Sequence, residues 1–214
     1  MLARQCHHVY NQSVMKKIQL ARELAYNGLS VEKAIAKRRS ERSFSGKAIS
    51  LAELSHILYY SSGITDKRTG FRAAPSAGGT YPIEVYPVIN NVEGLARGIY
   101  HYLVASHELE LVREGDFRHE MSLAALGERM LIEANVVLVL SAIFQRTQRR
   151  YRERGQRYIL FEAGHIAQNT CLVATSMGLG ACAIGAFYDT DLNHVVGVDG
   201  REESVLYLVA VGKT

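Results

Sequence analysis

The chain has only three cysteines, Cys6, Cys171 and Cys182, an odd number with no metal-ligand spacing. That pattern excludes a cysteine metal site and argues for free thiols rather than a disulfide framework. Its three prolines, Pro75, Pro82 and Pro87, bracket a single segment, so no proline-rich linker divides the chain. No apolar run approaches the roughly 18 residues of a membrane span, and Met1 to Tyr10 lacks the apolar core of a signal peptide. A cytoplasmic protein without a membrane partner is expected. Internal repeats and low-complexity stretches are also missing. There is no G-x-S-x-G, no H-E-x-x-H and no P-loop, which excludes the nucleophile-elbow hydrolases, the zincins and the P-loop nucleotide hydrolases.

What remains is ordinary for a globular chain of 214 residues, with 48% apolar and 21% charged residues. Such a length buries one substantial core. The net charge of +4 permits phosphate or nucleic acid as a partner and demands neither.

Apolar periodicity predicts a helix over Met15 to Asn27, ended by Gly28, and a second over Val31 to Lys37, capped by Ser30. Ser50-Leu51-Ala52-Glu53 is a capping box that starts a helix closing before Gly63. Ile83 to Ile89 reads as a strand, and Gly98 to Leu103 with Leu109 to Val112 as a hairpin. Val136 to Ile143 is nearly all apolar, as in a strand buried on both faces. Phe161 to Met177 is the longest helix, with Gly178 at its C-terminal cap. A strand over Ala181 to Ile184, a small helix capped by Asp189, and a last strand over Val205 to Val211 complete the chain. Strands and helices mix without βαβ alternation, so the class is α+β.

Arg38-Arg39-Ser40-Glu41-Arg42 packs three guanidiniums and a hydroxyl into five residues. Alone it reads as a solvated basic helix end, with Glu41 facing outward. Beside the small-residue segment Pro75-Ser76-Ala77-Gly78-Gly79 and the strand exit Gly185-Ala186-Phe187 it suggests a bound phosphorylated cofactor. Arg146 to Arg157 carries six arginines around Tyr151 and reads as a solvated face rather than a nucleic-acid surface. On the long helix, His165 is expected to be buried and hydrogen-bonded, and Glu162 to be an ion-pair partner.

Taken in order, these segments resemble the nitroreductase superfamily, and within it the SagB-type dehydrogenase group. The matching stretches are Arg38-Arg39-Ser40 with Arg42-Ser43-Phe44, Ala74 to Gly79 with Tyr81 to Tyr86, Gly98 to Tyr102, Glu162 to Asn169, Ile184 to Phe187, and Val211-Gly212-Lys213. The resemblance implies a nitroreductase-like mixed β-sheet flanked by helices, an intertwined homodimer, and FMN at the subunit interface. It implies an FMN-binding domain over residues 30–214, preceded by the helical extension expected over residues 1–29. Arg38, Ser40 and Lys213 would contact the FMN phosphate, with Arg39 beside them and Arg42 at the pyrimidine edge. Pro75, Ser76, Ala77 and Gly79 would approach the flavin of the partner subunit. Backbone amides of Gly185 and Ala186 would face flavin N5.

The implied activity is hydride exchange between a donor such as NAD(P)H and a small organic acceptor. Dehydrogenation of thiazoline or oxazoline rings in peptides, or flavin binding without catalysis, are the alternatives. Many nitroreductases carry Asn where Gly79 stands. Members that oxidise azoline rings often carry Lys-Tyr where this chain has Arg150-Tyr151. Arg stays protonated and cannot accept a proton near neutral pH, which leaves Tyr151 as the candidate catalytic group.

Overall fold

The computed structural model describes residues 16–21 and 28–214. Nine strands are present among them: β1 (Lys17–Gln19), β2 (Ile64–Asp66), β3 (Phe71–Arg72), β4 (Ile83–Ile89), β5 (Gly98–Leu103), β6 (Glu108–Glu114), β7 (Val136–Ile143), β8 (Gly180–Ile184) and β9 (Glu203–Gly212). The described helices are α1 (Val31–Lys37), α2 (Leu51–Ser62), α3 (Arg118–Ala124), α4 (Met130–Glu133), α5 (Gln145–Tyr151), α6 (Gly155–Ser176) and α7 (Asp189–Val196).

Seven strands form one sheet in the order β1-β6-β5-β4-β7-β9-β8, with antiparallel neighbours, while β2 and β3 make a separate hairpin. A parallel bridge from Ser40 to Ala181 makes the pairing mixed. Strand β7 shows why its sequence is nearly all apolar. Val136, Leu138 and Leu140 face a core closed by α2 and α6, whereas Val137 and Val139 face a second core with α3, α4 and α7. Successive side chains of a strand point to opposite faces, so a strand covered on both sides is apolar on both; its one polar residue, Ser141, is buried and donates to Glu203. The architecture is the expected α+β class.

Local signals hold where they are strongest. Ser30 caps α1 through the Lys33 amide. Ser50 and Glu53 complete both halves of the capping box on α2. At the end of α6, Gly178 takes φ 71° and the Leu179 amide reaches back to Ala174 at 2.9 Å, as glycine-terminated helices do.

Other expectations are corrected. The helix expected over Met15 to Asn27 is a strand at Lys17–Gln19, held by register pairing with Glu110, Leu109 and Glu108; positions 15 and 22–27 of that stretch, like Cys6, lie outside the described residues. The long helix begins at Gly155, earlier than Phe161. Asp189 is the first residue of α7 rather than its cap, which is Tyr188. The arginine-rich segment is not one helix: Arg152 takes φ 50° and breaks it into α5, a 3-10 turn and the start of α6. Among the described residues no helix is long and apolar enough to cross a membrane.

Candidate functional site

The residues singled out from the sequence gather in three places around α6 and β8. The first lies at the start of β8. Ser40 bridges Ala181, the Glu41 amide donates to the Ala181 carbonyl at 3.0 Å, and the Ser45 amide donates to the Lys213 carbonyl at 2.8 Å. Arg38, Ser40, Arg42 and Lys213 are thereby drawn to one sheet edge. Burial pushes the Cys182 thiol up, against the opposing charges of Arg42 and Arg38 and a hydrogen bond from Ser40, so all three stand close to it. Arg39 folds back, donating to the carbonyls of Ala36 and Arg38 at 3.1 and 2.7 Å, where a cation suits the helix C-terminus. Glu41 is exposed, as expected, and its Cβ lies over Gly180. The nearest acid to Lys213 Nζ is Glu53, at 3.8 Å.

Lys213 is seated by Asn135, a residue that no sequence motif marks. Asn135 is fully buried; its amide group donates to the carbonyls of Lys47 and Asn91 at 2.8 and 2.9 Å, while its Oδ1 accepts the Lys213 amide at 2.9 Å.

The second place is the segment from Pro75 to Tyr81, where Ala77–Gly79 make a 3-10 turn. Tyr81 sits at φ 45° in front of Pro82, a conformation that persists only when its surroundings over-determine it. They do. Its amide donates to Ser76 Oγ at 2.9 Å, its carbonyl accepts Arg146 Nη1 at 3.0 Å, and the Arg72 guanidinium lies 4.4 Å from its ring centroid. Helix α5 fastens the same turn through Thr147 to Thr80 at 2.8 Å and Arg150 to the Gly78 carbonyl at 3.2 Å. Tyr151 belongs here: a Cβ placed on Gly78 would stand 2.6 Å from its hydroxyl.

Glu162 lies beneath this turn, and the structure overturns its expected ion pair. It is 3% exposed and has no cationic partner within ion-pair distance among the described residues. Burial pushes its carboxyl up to about 7, against a hydrogen bond with Ser76 and the charge of Arg72. The sequence did hold the signal, since Glu162 falls three residues after Ile159 and four before Ile166 on the buried stripe. His165, expected in the core, is exposed because it falls off that stripe.

Gly185 and Ala186 form the third place. Both are exposed where the chain leaves β8, four residues beyond Ala181, or about 13 Å of extended strand. Glu162 and Cys171, which mark the second and first places on α6, are nine residues apart, or about 14 Å of helix. Within one chain the Arg38 group and the Ser76 turn are therefore separate. No group of three His, Cys, Asp or Glu residues suited to a metal ion occurs among the described residues.

Comparison with known proteins places the sequence and the fold. The sequence profile of the Nitroreductase family matches residues 35–213. The protein MJ1384 of Methanocaldococcus jannaschii, named as a nitroreductase, is 40% identical over 185 residues, covering 86% of this chain and 91% of that protein. The microcin B17-processing protein McbC of Escherichia coli is 30% identical over 169 residues, covering 77% of this chain; the chain spans 62% of McbC, under two thirds of its length. A solved structure from Ralstonia eutropha JMP134, also named as a nitroreductase, superposes with a TM-score of 0.80 at 26% identity, covering 92% of this chain and 89% of that one.

Proposed function

This chain belongs to the nitroreductase family, and from that premise we propose that it is an FMN-dependent oxidoreductase passing hydride from a reduced donor such as NAD(P)H to a small organic acceptor. The observation that carries this reading is the gathering of Arg38, Ser40, Arg42 and Lys213 at one sheet edge, with Glu53 the one carboxylate in ion-pair reach of these groups among the described residues. Such a donor set fits a phosphate. Arg38, Ser40 and Lys213 would hold it, with Arg39 beside them. The exposed Gly185 and Ala186 amides, about 13 Å along the strand from Ala181, suit a ligand with an anionic end and a flat end. Arg42 would supply the positive charge that favours a reduced, anionic ring.

Bound FMN would supply reversible two-electron chemistry, while the chain supplies position, charge and exclusion of water. Pro75, Ser76, Ala77 and Gly79 would serve the partner's flavin in a homodimer, since within one chain their turn forms a place separate from the Arg38 group. An unpartnered apolar strip supports the dimer: Leu160 and Phe161 are each 54% exposed on α6, and Gly164 follows one turn later. Tyr151, beside Gly78, would donate a proton to the acceptor. Free, buried Cys171 and Cys182 fit a reducing cytoplasm.

A second reading, dehydrogenation of azoline rings in a peptide, is favoured by the likeness to McbC and by the place of Tyr151 over the turn. Arg150 weighs against it, because it stays protonated and already donates to Gly78.

The test is to denature the purified protein and identify the released chromophore, then assay NADH and NADPH oxidation with a quinone or nitroaromatic acceptor. Stoichiometric FMN with turnover is expected. A protein that neither carries nor binds FMN overturns the reading, and FMN without turnover on any donor leaves a non-catalytic flavin binder.

A further inference from the structure

One cavity on the far side of Tyr81, beside the Pro75 to Tyr81 turn, is lined by charged groups. Its volume is about 410 Å³, and it is lined by Arg72 and Tyr81, by Glu84, His101 and Arg146, and by an apolar wall that includes Leu103 and Val104. The volume lies in the range of small-molecule sites.

Glu84 is fully engaged. One carboxylate oxygen meets His101 Nε2 at 2.6 Å and the other accepts from Arg146. Burial pushes this carboxyl up, but the hydrogen bonds from His101 and Arg146 outweigh it and hold it below its ordinary value. It therefore remains an anion already shared between two partners.

Arg72 is not matched in this way. Its backbone amide donates to the Tyr81 hydroxyl at 3.3 Å, and its guanidinium stacks over that ring. No carboxylate among the described residues is within ion-pair distance of it, and its side-chain donors have no hydrogen-bond acceptor there. A guanidinium carries five donors in a planar fork. The acids whose charge reaches it are Glu84, already engaged, and the buried Glu162. Burial disfavours its charged form, and partly buried cations are ordinarily paired. The cavity thus presents two guanidiniums to one carboxylate, with an apolar surface alongside.

We propose that this cavity binds a small organic carboxylate, the Arg72 fork taking the carboxylate and the wall at Leu103 and Val104 taking an apolar body. A monoanion balances the excess charge. Inorganic phosphate, doubly charged and without an apolar body, would leave that wall uncovered and crowd Glu84. The inference does not rest on the flavin reading, since Arg72, Leu103 and Val104 are not among the residues assigned to the cofactor.

The experiment is calorimetric titration of the full chain, as purified, with benzoate, benzyl alcohol and inorganic phosphate at matched ionic strength. Saturable benzoate binding is expected, with benzyl alcohol and phosphate each about tenfold weaker or more, the loss of a charged hydrogen bond or of the apolar contact. Arg72→Met should weaken benzoate by about tenfold or more, and Arg72→Lys by less, because charge survives but the fork does not. Val104→Trp, in the turn after β5 where Val104 is half-buried, should block benzoate while leaving Arg72 in place; it decides the question if Arg72→Met does not fold. Absence of benzoate binding, equal binding of benzyl alcohol or phosphate, or binding that survives Val104→Trp overturns the proposal.

Discussion

Arg150 donates through Nη1 to the carbonyl oxygen of Gly78 at 3.2 Å, joining the arginine-rich helix to the turn that follows Ser76. The contact explains why glycine stands at position 78. Its φ is 61°, and a Cβ there would lie 2.6 Å from both Arg150 Nη1 and the Tyr151 hydroxyl. The turn and the candidate proton donor are packed as one unit, although more than 70 residues separate them.

Gly78→Ala should therefore cost about 1–2 kcal/mol from the left-handed backbone alone, and should also displace Tyr151. Tyr151→Phe should lower kcat by about 10²-fold, the usual size of a general-acid contribution, with flavin content unchanged. Urea unfolding and steady-state kinetics on the two variants check this. An unaltered kcat in Tyr151→Phe would remove that residue from the chemistry.

Glu162 makes stability depend on pH in a particular direction. Its ordinary value is 4.5 and its folded value about 7, so the folded chain holds a proton that the unfolded chain has released. The contribution is complete below about pH 4.5 and is lost as pH rises through 7, amounting to about 3 kcal/mol across the window. Glu162→Gln cannot ionise and should flatten this part of the profile. Urea unfolding of both proteins at pH 5, 6, 7 and 8 measures the difference, and parallel profiles would contradict the buried-acid account.

Asn135 and Lys213 should separate stability from cofactor retention. Asn135→Ala removes three part-buried hydrogen bonds, to the Lys47 and Asn91 carbonyls and from the Lys213 amide, a loss of about 2–3 kcal/mol, and frees the chain end that carries Lys213. Lys213→Ala should change stability little yet weaken FMN binding. Denaturation and fluorescence titration with FMN read the two effects independently. Equal FMN affinity in Lys213→Ala and the parent would exclude the lysine from the site.

Phe161→Glu places a charge on the exposed apolar strip of α6. If that strip is the subunit interface, the variant should shift from dimer to monomer in sedimentation velocity and lose FMN with it, while far-ultraviolet circular dichroism stays the same. A dimer of undiminished stability would move the interface elsewhere.

How much of this was legible in the sequence depends on the range of the force involved. Ser30, and Ser50 with Glu53, act on amides three residues away, so their caps can be read directly. Val136 to Ile143 is nearly all apolar because both faces are covered, and its limits coincide with those read from the sequence. Lys17–Gln19 carries a helical apolar pattern, but pairing with β6, some 90 residues away, makes it a strand. Helices α3 and α4 were not anticipated because they are short and lack side-chain caps. The motifs at Arg38 to Arg42, Pro75 to Gly79 and Gly185-Ala186 marked a site before any geometry was known, but not which of them lie together.

By itself, then, the sequence determined the main helices and strands, the doubly buried centre of the sheet, and the family. These follow from hydrogen bonds and apolar spacing within a few residues of chain. Only the tertiary structure decided that Glu162 is a buried, proton-holding acid, that Asn135 seats Lys213, and that Arg72 lines a cavity without a carboxylate partner. Each is a matter of desolvation and pairing between groups remote in sequence, and burial can raise or lower the cost of a charge only once the fold has chosen its neighbours.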